Sequence, residues 1–301
     1  MTHTVSAAPG RLPNVGTLLL AQIRYQIRRL LAGGRALAVG VGLPVILLVA
    51  SKGKDAHPNV AGYAVFGLTI TAFSTYGLRL VTAREAGVLK RWRATPLPRW
   101  CYLLGNIVAT VLAAAAAGAV TVFAAVVLYG THFGDGAGTQ LTGSAALAVM
   151  VAFVLGAFAL AATATAFTSI IPTVEAAFPT LMFTYFPVMI ISGVLFTISE
   201  PHWLSTLASD LPIQPLIDAA THAVRHTPGA PFLPIRDVIV LASWAVGGLL
   251  TSVIVFRWEP HRPTQRRAAR PKPSQVLQVT GPAAANDVGS AREQAAWEVH
   301  H

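Results

Sequence analysis

Residues 102–130 read YLLGNIVATVLAAAAAGAVTVFAAVVLYG and residues 144–170 read SAALAVMVAFVLGAFALAATATAFTSI, neither containing a charged side chain. A helix crossing the hydrocarbon of a bilayer needs roughly 20 consecutive apolar residues, so each stretch is long enough to span. The rest of the chain agrees with these two. Apolar types make up 54% of the 301 residues and charged types 11%, with a mean hydropathy of +0.59. Soluble domains carry about a quarter charged residues, which excludes that class. Reading between the charges predicts spans at 35–51, 58–80, 102–130, 144–170, 176–198 and 237–256. The first is short, contains Pro44 and is bracketed by Arg35 and Lys52, bases that reach the headgroups from a helix end. The expected fold is an all-α membrane protein with six transmembrane helices.

Lys and Arg total 22 against 12 Asp and Glu, a net charge of +10. The bases cluster at 11–35, at 79–99 and from 257 onward, with only Lys52, Lys54, Arg225 and Arg236 elsewhere. Placing both termini in the cytoplasm puts 18 of the 22 bases on that side, as positive-inside topology requires. The charge therefore reads as membrane orientation, and nucleic acid is not an expected partner. Cys101 is the only cysteine, which excludes an internal disulfide and any multi-cysteine metal or redox site. No short apolar core with a small-residue cleavage site follows the N-terminus, so no removable signal peptide is expected.

Ahead of the first span, Leu20, Ile23, Ile27 and Leu30/Leu31 recur at helical spacing, with Gln22, Arg24, Gln26, Arg28 and Arg29 elsewhere around the helix. This predicts an amphipathic interfacial helix over 15–32, serving as a basic anchor on anionic lipid or as a lever joining a cytoplasmic partner to the first span. Residues 1–258 form the expected transmembrane domain. The tail, 259–301, is rich in Arg, Pro and Ala and is expected to be disordered.

Between the second and third spans stands TAREAGVLKRWRATPLPRW, residues 82–100. Thr82 and Glu85 match a capping box, so a short cytoplasmic helix is expected to begin there, with Pro96 and Pro98 turning the chain back to the bilayer. Glu175, flanked by Pro172 and Pro179, is expected in a loop, either in water or touching a partner or a base of this chain. The segment 199–236 is too long for a turn and too apolar for a solvated loop. Two short helices dipping into the outer leaflet fit it, a re-entrant extracellular hairpin whose backbone is covered by protein.

The run Glu85-x-Gly87, then Arg93-x-x-Pro96, within AREAGVLKRWRATPLPRWCYLLGN, resembles the cytoplasmic signature of type-2 ABC transporter permeases, the membrane subunits of exporters of the daunorubicin-resistance type. The resemblance continues through Phe186-Pro187, Ser192-Gly193, Glu200-Pro201-x-Trp203-Leu204 and Leu211-Pro212, which are similar to that family's fifth span and following hairpin. It implies a coupling helix after the second span, docking on a separate ATP-binding subunit through Glu85, Gly87, Arg93 and Pro96. It also implies two permease chains, expected to be a homodimer, with two ATPase chains, in a bacterial cytoplasmic membrane.

No G-x-x-x-x-G-K-[ST] occurs in the chain. It is thus expected to be no enzyme and to bind no cofactor, ATP and Mg being used by the partner. The spans hold almost none of the Asp, Glu or His that ion-coupled carriers place there. His202, His222 and His226 lack metal-ligand spacing, and no metal is expected. Phe66, Thr69, Phe73 and Tyr76 recur on one face of the second span, as do Met182, Phe186 and Met189 on the fifth. Such stripes are either packing or the lining of an apolar substrate path. Ser192, Gly193, Glu200 and Trp203 are the expected extracellular gate. The expected cargo is an amphipathic, drug-like or lipid-like molecule. A glycolipid or wall-polymer permease is the nearest alternative, and a passive channel or an intramembrane enzyme a more distant one.

The charge partition makes a direct prediction. With Cys101 replaced, single cysteines at Gly53 and Gly136 react with an impermeant thiol reagent added to intact cells, whereas one at Ala94 does not; labelling at Ala94 contradicts the arrangement.

Overall fold

The computed structural model describes residues 15–32, 34–52, 59–87, 99–130, 143–195, 202–224 and 233–255, and every regular element among them is helical. In chain order these are α1 (Val15–Ala32), α2 (Arg35–Ser51), α3 (Val60–Thr69), a π-helical segment (Ile70–Thr75), α4 (Tyr76–Glu85), α5 (Arg99–Tyr129), α6 (Gly143–Thr168), α7 (Val174–Ile191), α8 (His202–Asp210), α9 (Ile213–Val224) and α10 (Ile235–Val255). The tail lies outside the described residues.

Five helices among these are long and apolar enough to cross a membrane: Val60–Glu85, Trp100–Tyr129, Gly143–Thr168, Val174–Ile191 and Ile235–Ser252. The segment expected as a first span forms α2, and its apolar part, Ala38–Ser51, is shorter than these five. Two boundaries differ from the sequence reading. The second span runs on to Glu85, because nothing between Leu80 and Glu85 breaks a helix. The fifth ends at Ile191, where Ser192 caps it and Gly193 takes a φ of 72°, a left-handed conformation that glycine adopts without steric cost.

The second span is the core of the bundle. It is buried on nearly every side, enclosed by α2, α5, α6, α7 and α9. α1 packs along α5, while α10 lies against α6 with α9 wedged beside them. In a membrane the helices gain little from burying apolar surface against each other, so close approach at small residues holds them together. Pro44, inside α2, has no N–H to return to the carbonyl of Gly40. That carbonyl is the atom a side chain on Gly67 would strike first, and Pro44 Cγ would be 2.8 Å from the same Cβ. Proline and glycine thus make one crossing between α2 and α3. At Gly248 of α10 an added Cβ would stand 2.7 Å from the backbone carbon of Ala162 and the backbone nitrogen of Thr163 in α6.

Four buried threonines return their hydroxyls to their own helices. Thr71, Thr121, Thr163 and Thr165 donate to the carbonyl four residues back at 2.7–3.0 Å, which satisfies each donor where no water is at hand.

Gly248→Ala destabilises the bundle by about 1–3 kcal/mol, the usual cost of overpacking, because its obstacle is backbone. Gly247→Ala next to it is neutral, since nothing lies within 4 Å of the added carbon. Melting of the purified variants in detergent distinguishes the two.

Candidate coupling site

Arg84 and Glu85 close the last turn of α4, and neither behaves as the sequence pattern implies. Thr82 and Glu85 end a helix and do not begin one. Thr82 Oγ1 donates to the carbonyl of Leu78 at 2.8 Å, and Glu85 reaches across to another helix, accepting a hydrogen bond from the backbone N–H of Val174 at 3.2 Å. The capping-box reading is therefore corrected: the motif's spacing also occurs in the last turn of a span that has not yet ended. The turn that follows α4 reaches Gly87, which has a φ of 68° and whose N–H returns to the carbonyl of Arg84 at 3.2 Å.

Arg84 is only 2% exposed. Its Nη1 donates to the carbonyl of Thr168 at 2.9 Å, and its Nη2 donates to that of Ile171. Thr168 ends α6 and Val174 begins α7. The adjacent cation and anion therefore take the two ends of one short connection, Arg84 at the carbonyls leaving α6 and Glu85 at an amide entering α7. Each charge has the sign that its helix end attracts. Thr173 completes the junction, its hydroxyl accepting from Ala176 N–H at 3.3 Å as the N-cap of α7. Glu175 is exposed in the first turn of α7, not in a loop. Arg93 and Pro96, with the coupling helix expected around them, lie outside the described residues.

A family profile described as ABC-2 family transporter protein matches residues 42–256, a stretch that holds this junction and all five long apolar helices. The chain belongs to the ABC-2 transporter family. No curated protein sequence matches it.

In this ABC-2 chain the expected substrate stripe on the second span is packed inside the subunit. Phe66, Phe73 and Tyr76 are 6%, 4% and 3% exposed, and Met189 is fully buried. Phe73 meets Phe167 edge-on, with ring centroids 5.8 Å apart, and Tyr185 at 5.9 Å. The Tyr76 hydroxyl shares a 3.0 Å hydrogen bond with Thr165 Oγ1. The fifth-span stripe is divided: Met189 is buried, Met182 is half-buried, and Phe186 is exposed, as are Phe178 and Phe183 of the same helix. Within a single subunit, then, the residues expected to line one path do not share one surface.

Of the expected gate, Ser192 and Gly193 form the turn that ends α7, Trp203 is exposed on α8, and Glu200 lies outside the described residues. The residue that fixes this turn was not singled out from the sequence. Asn59 caps α3 by accepting from Gly62 N–H at 2.9 Å, and its Nδ2 donates to the carbonyl of Gly193 at 3.2 Å. An Asn three residues before a glycine, at the start of an apolar run, was the available signal. On the same side Arg236 pairs with Asp210 at 3.6 Å and donates to Ser209 Oγ at 2.8 Å, and Trp244 Nε1 donates to the carbonyl of Asp210 at 2.8 Å. These contacts tie α8 to α10. On α9, burial and then the neighbouring Asp237 push the Asp218 carboxyl up to about 6.

Removing Arg84 leaves two carbonyls unpartnered and removing Glu85 frees one exposed amide, so the substitutions differ in cost. Arg84→Ala lowers stability by several kcal/mol, at about 1–3 kcal/mol for each buried group left unsatisfied. Glu85→Ala costs about 1 kcal/mol, the scale of a lost cap. Equal melting shifts for the two variants contradict this division of roles.

Proposed function

We propose that this chain is the membrane permease of an ATP-driven exporter, working as two copies with two ATP-binding subunits, and that it moves an amphipathic or hydrophobic small molecule out of the cytoplasm or the inner leaflet. The observation that carries the reading is the junction made by Arg84 and Glu85. The segment that follows Gly87, with Arg93 and Pro96, is the proposed docking point for the ATP-binding subunit. Any displacement there acts first on the end of α4, and Arg84 and Glu85 pass it to the ends of α6 and α7. One loop thereby acts on three spans, as force transmission from an external ATPase demands. The proposed setting is a bacterial cytoplasmic membrane with both termini in the cytoplasm.

The proposed path for the cargo runs along the outward face of α7. Phe178, Phe183 and Phe186 are 56%, 82% and 44% exposed, and flat apolar rings accept ligands of many shapes. The second permease copy would face the same surface, so that cargo passes between the two subunits. Phe73, by contrast, has the contacts of a packing residue. A permease for a glycolipid or wall polymer would share the coupling junction and differ along the α7 face.

The test is an efflux profile over several amphipathic compounds, measured together with the yield of folded protein and the copurification of the ATP-binding subunit. Phe186→Ala re-ranks the exported compounds at normal yield, since single contact groups set selectivity by about 1–3 kcal/mol. Phe73→Ala lowers the yield and all efflux in parallel, at about 3–5 kcal/mol for a truncated core aromatic. Parallel loss for every compound in Phe186→Ala would refute the path, and absence of any copurifying ATPase would refute the exporter assignment itself.

A further inference from the structure

α7 leans on one neighbour. It is the least enclosed of the five long apolar helices, and among the described residues its substantial contacts are with the second span and with α8. The two spans run antiparallel: Glu85 meets Val174, Gly77 lies against Leu181, Phe73 against Tyr185, and Asn59 reaches Gly193. Their two ends are held differently. At the coupling junction α7 is tethered by the short connection from Thr168 to Val174, by Arg84 on the carbonyls of Thr168 and Ile171, and by Glu85 on Val174 N–H. At the far end, among the described residues, one side chain of the second span bonds the turn that closes α7. Asn59 Nδ2 donates to the carbonyl of Gly193 at 3.2 Å and to that of Val194 at 3.4 Å.

Neither partner depends on this contact for its own shape. In the turn, Val194 N–H returns to the carbonyl of Met189 at 3.2 Å and Gly193 N–H to that of Ile190 at 3.1 Å, the paired bonds of a Schellman motif. α3 keeps its cap as well, because the cap uses Asn59 Oδ1 and leaves Nδ2 to the turn. The fit between the two is close. A Cβ on Gly62 would stand 2.5 Å from the Val194 carbonyl oxygen and 2.5 Å from Asn59 Nδ2. Asn59 and Gly193 are half-buried, whereas Ser192 and Val194 are 5% and 0% exposed. Parting the two ends therefore takes the donor from two carbonyls and uncovers buried neighbours, with both helices intact.

We propose that Asn59 is a positioning residue that latches the far end of α7 to the second span, and that α7 swings about its junction end when the latch releases. A carboxamide suits this task because its oxygen only accepts and its nitrogen only donates, so one side chain caps α3 and holds the turn at once. Asp caps a helix as well as Asn does but has no N–H to give, and its charge is repelled by the two carbonyl oxygens. The exposed face of α7 moves with the swing. What the opening serves rests on the exporter reading, since that face is the proposed cargo path. The latch itself does not rest on it.

The test is the rate at which a charged methanethiosulfonate reagent labels the full-length chain in mild detergent, with Cys101→Ala and Ser192→Cys as the parent. The Ser192 hydroxyl has no hydrogen-bond partner among the described residues, so the exchange for sulfur removes no bond. Labelling of the parent is slow, and Asn59→Asp raises its rate by about fivefold or more, the worth of one hydrogen bond. Gly62→Ala also raises it, by pushing the turn away with the amide still in place. A cysteine at Leu181, buried on α7 nearer the junction, keeps its rate in Asn59→Asp. Should Gly62→Ala fail to fold, Asn59→Asp decides, because it retains the cap. An unchanged rate at position 192 in Asn59→Asp overturns the latch. So does acceleration confined to Asn59→Ala, which loses the cap as well and would make Asn59 a capping residue alone. Equal acceleration at positions 181 and 192 overturns the swing, since the whole helix then leaves the bundle. Neither cargo nor ATPase enters the measurement, so a failed latch leaves the exporter assignment standing, and a failed copurification leaves the latch.

Discussion

A helix that ends at the edge of a bilayer leaves carbonyls with nothing to accept from, and one that begins there leaves N–H groups with nothing to donate to. The connection between α6 and α7 meets this constraint twice within a few residues, since one helix ends where the next begins. Arg84 resolves the first end from a neighbouring span, and Glu85 the second. The arrangement needs the second span to extend as far as it does: a helix stopping at Leu80 would present neither residue to the junction. The length of the second span, the sharp turn from the fourth span to the fifth, and the position of Gly87 thus answer one hydrogen-bonding requirement.

Much of the architecture was legible in the sequence because hydrophobic length and charge placement are strong signals. The uncharged runs at 102–130 and 144–170 became α5 and α6 with ends shifted by one to three residues. Elements defined by composition were read well, and elements defined by a single side chain were not. Thr82 and Glu85 have capping-box spacing, but spacing carries no information on whether the preceding helix has ended. Arg84 looked like one more base in a basic block, and only its burial reveals a partner 84 positions away along the chain.

The aromatic stripe of the second span shows a different limit. Periodicity locates a face only when the helix has two kinds of surroundings, and this helix is enclosed on nearly all sides. Every residue of α3 from Ala64 to Thr69 is buried, so Phe66, Phe73 and Tyr76 share a stripe without sharing a surface that a ligand reaches. On α7, which is the least enclosed of the five long apolar helices, inward and outward positions do separate. Ala177, Leu181, Tyr185 and Met189 form a strict four-residue repeat into the bundle, and the phenylalanines fall outside it. The repeat was present in the sequence, masked because both faces are apolar.

The π-helical segment Ile70–Thr75 sits midway along the second span, and its geometry separates the two halves of that helix. A π turn accommodates one residue more than an α turn, and each residue advances an α-helix by about 100°. The half carrying Gly67 is fixed in azimuth by its crossing with Gly40 and Pro44, and the half carrying Arg84 by the α6–α7 junction. In an uninterrupted α-helix these two orientations would be locked in a single phase, and any change at one end would misalign the other. The extra residue acts as a phase adjuster between them, so each end of the helix can hold its own neighbours, and a lineage can gain or lose one residue in this segment to reset one end while the other keeps its contacts.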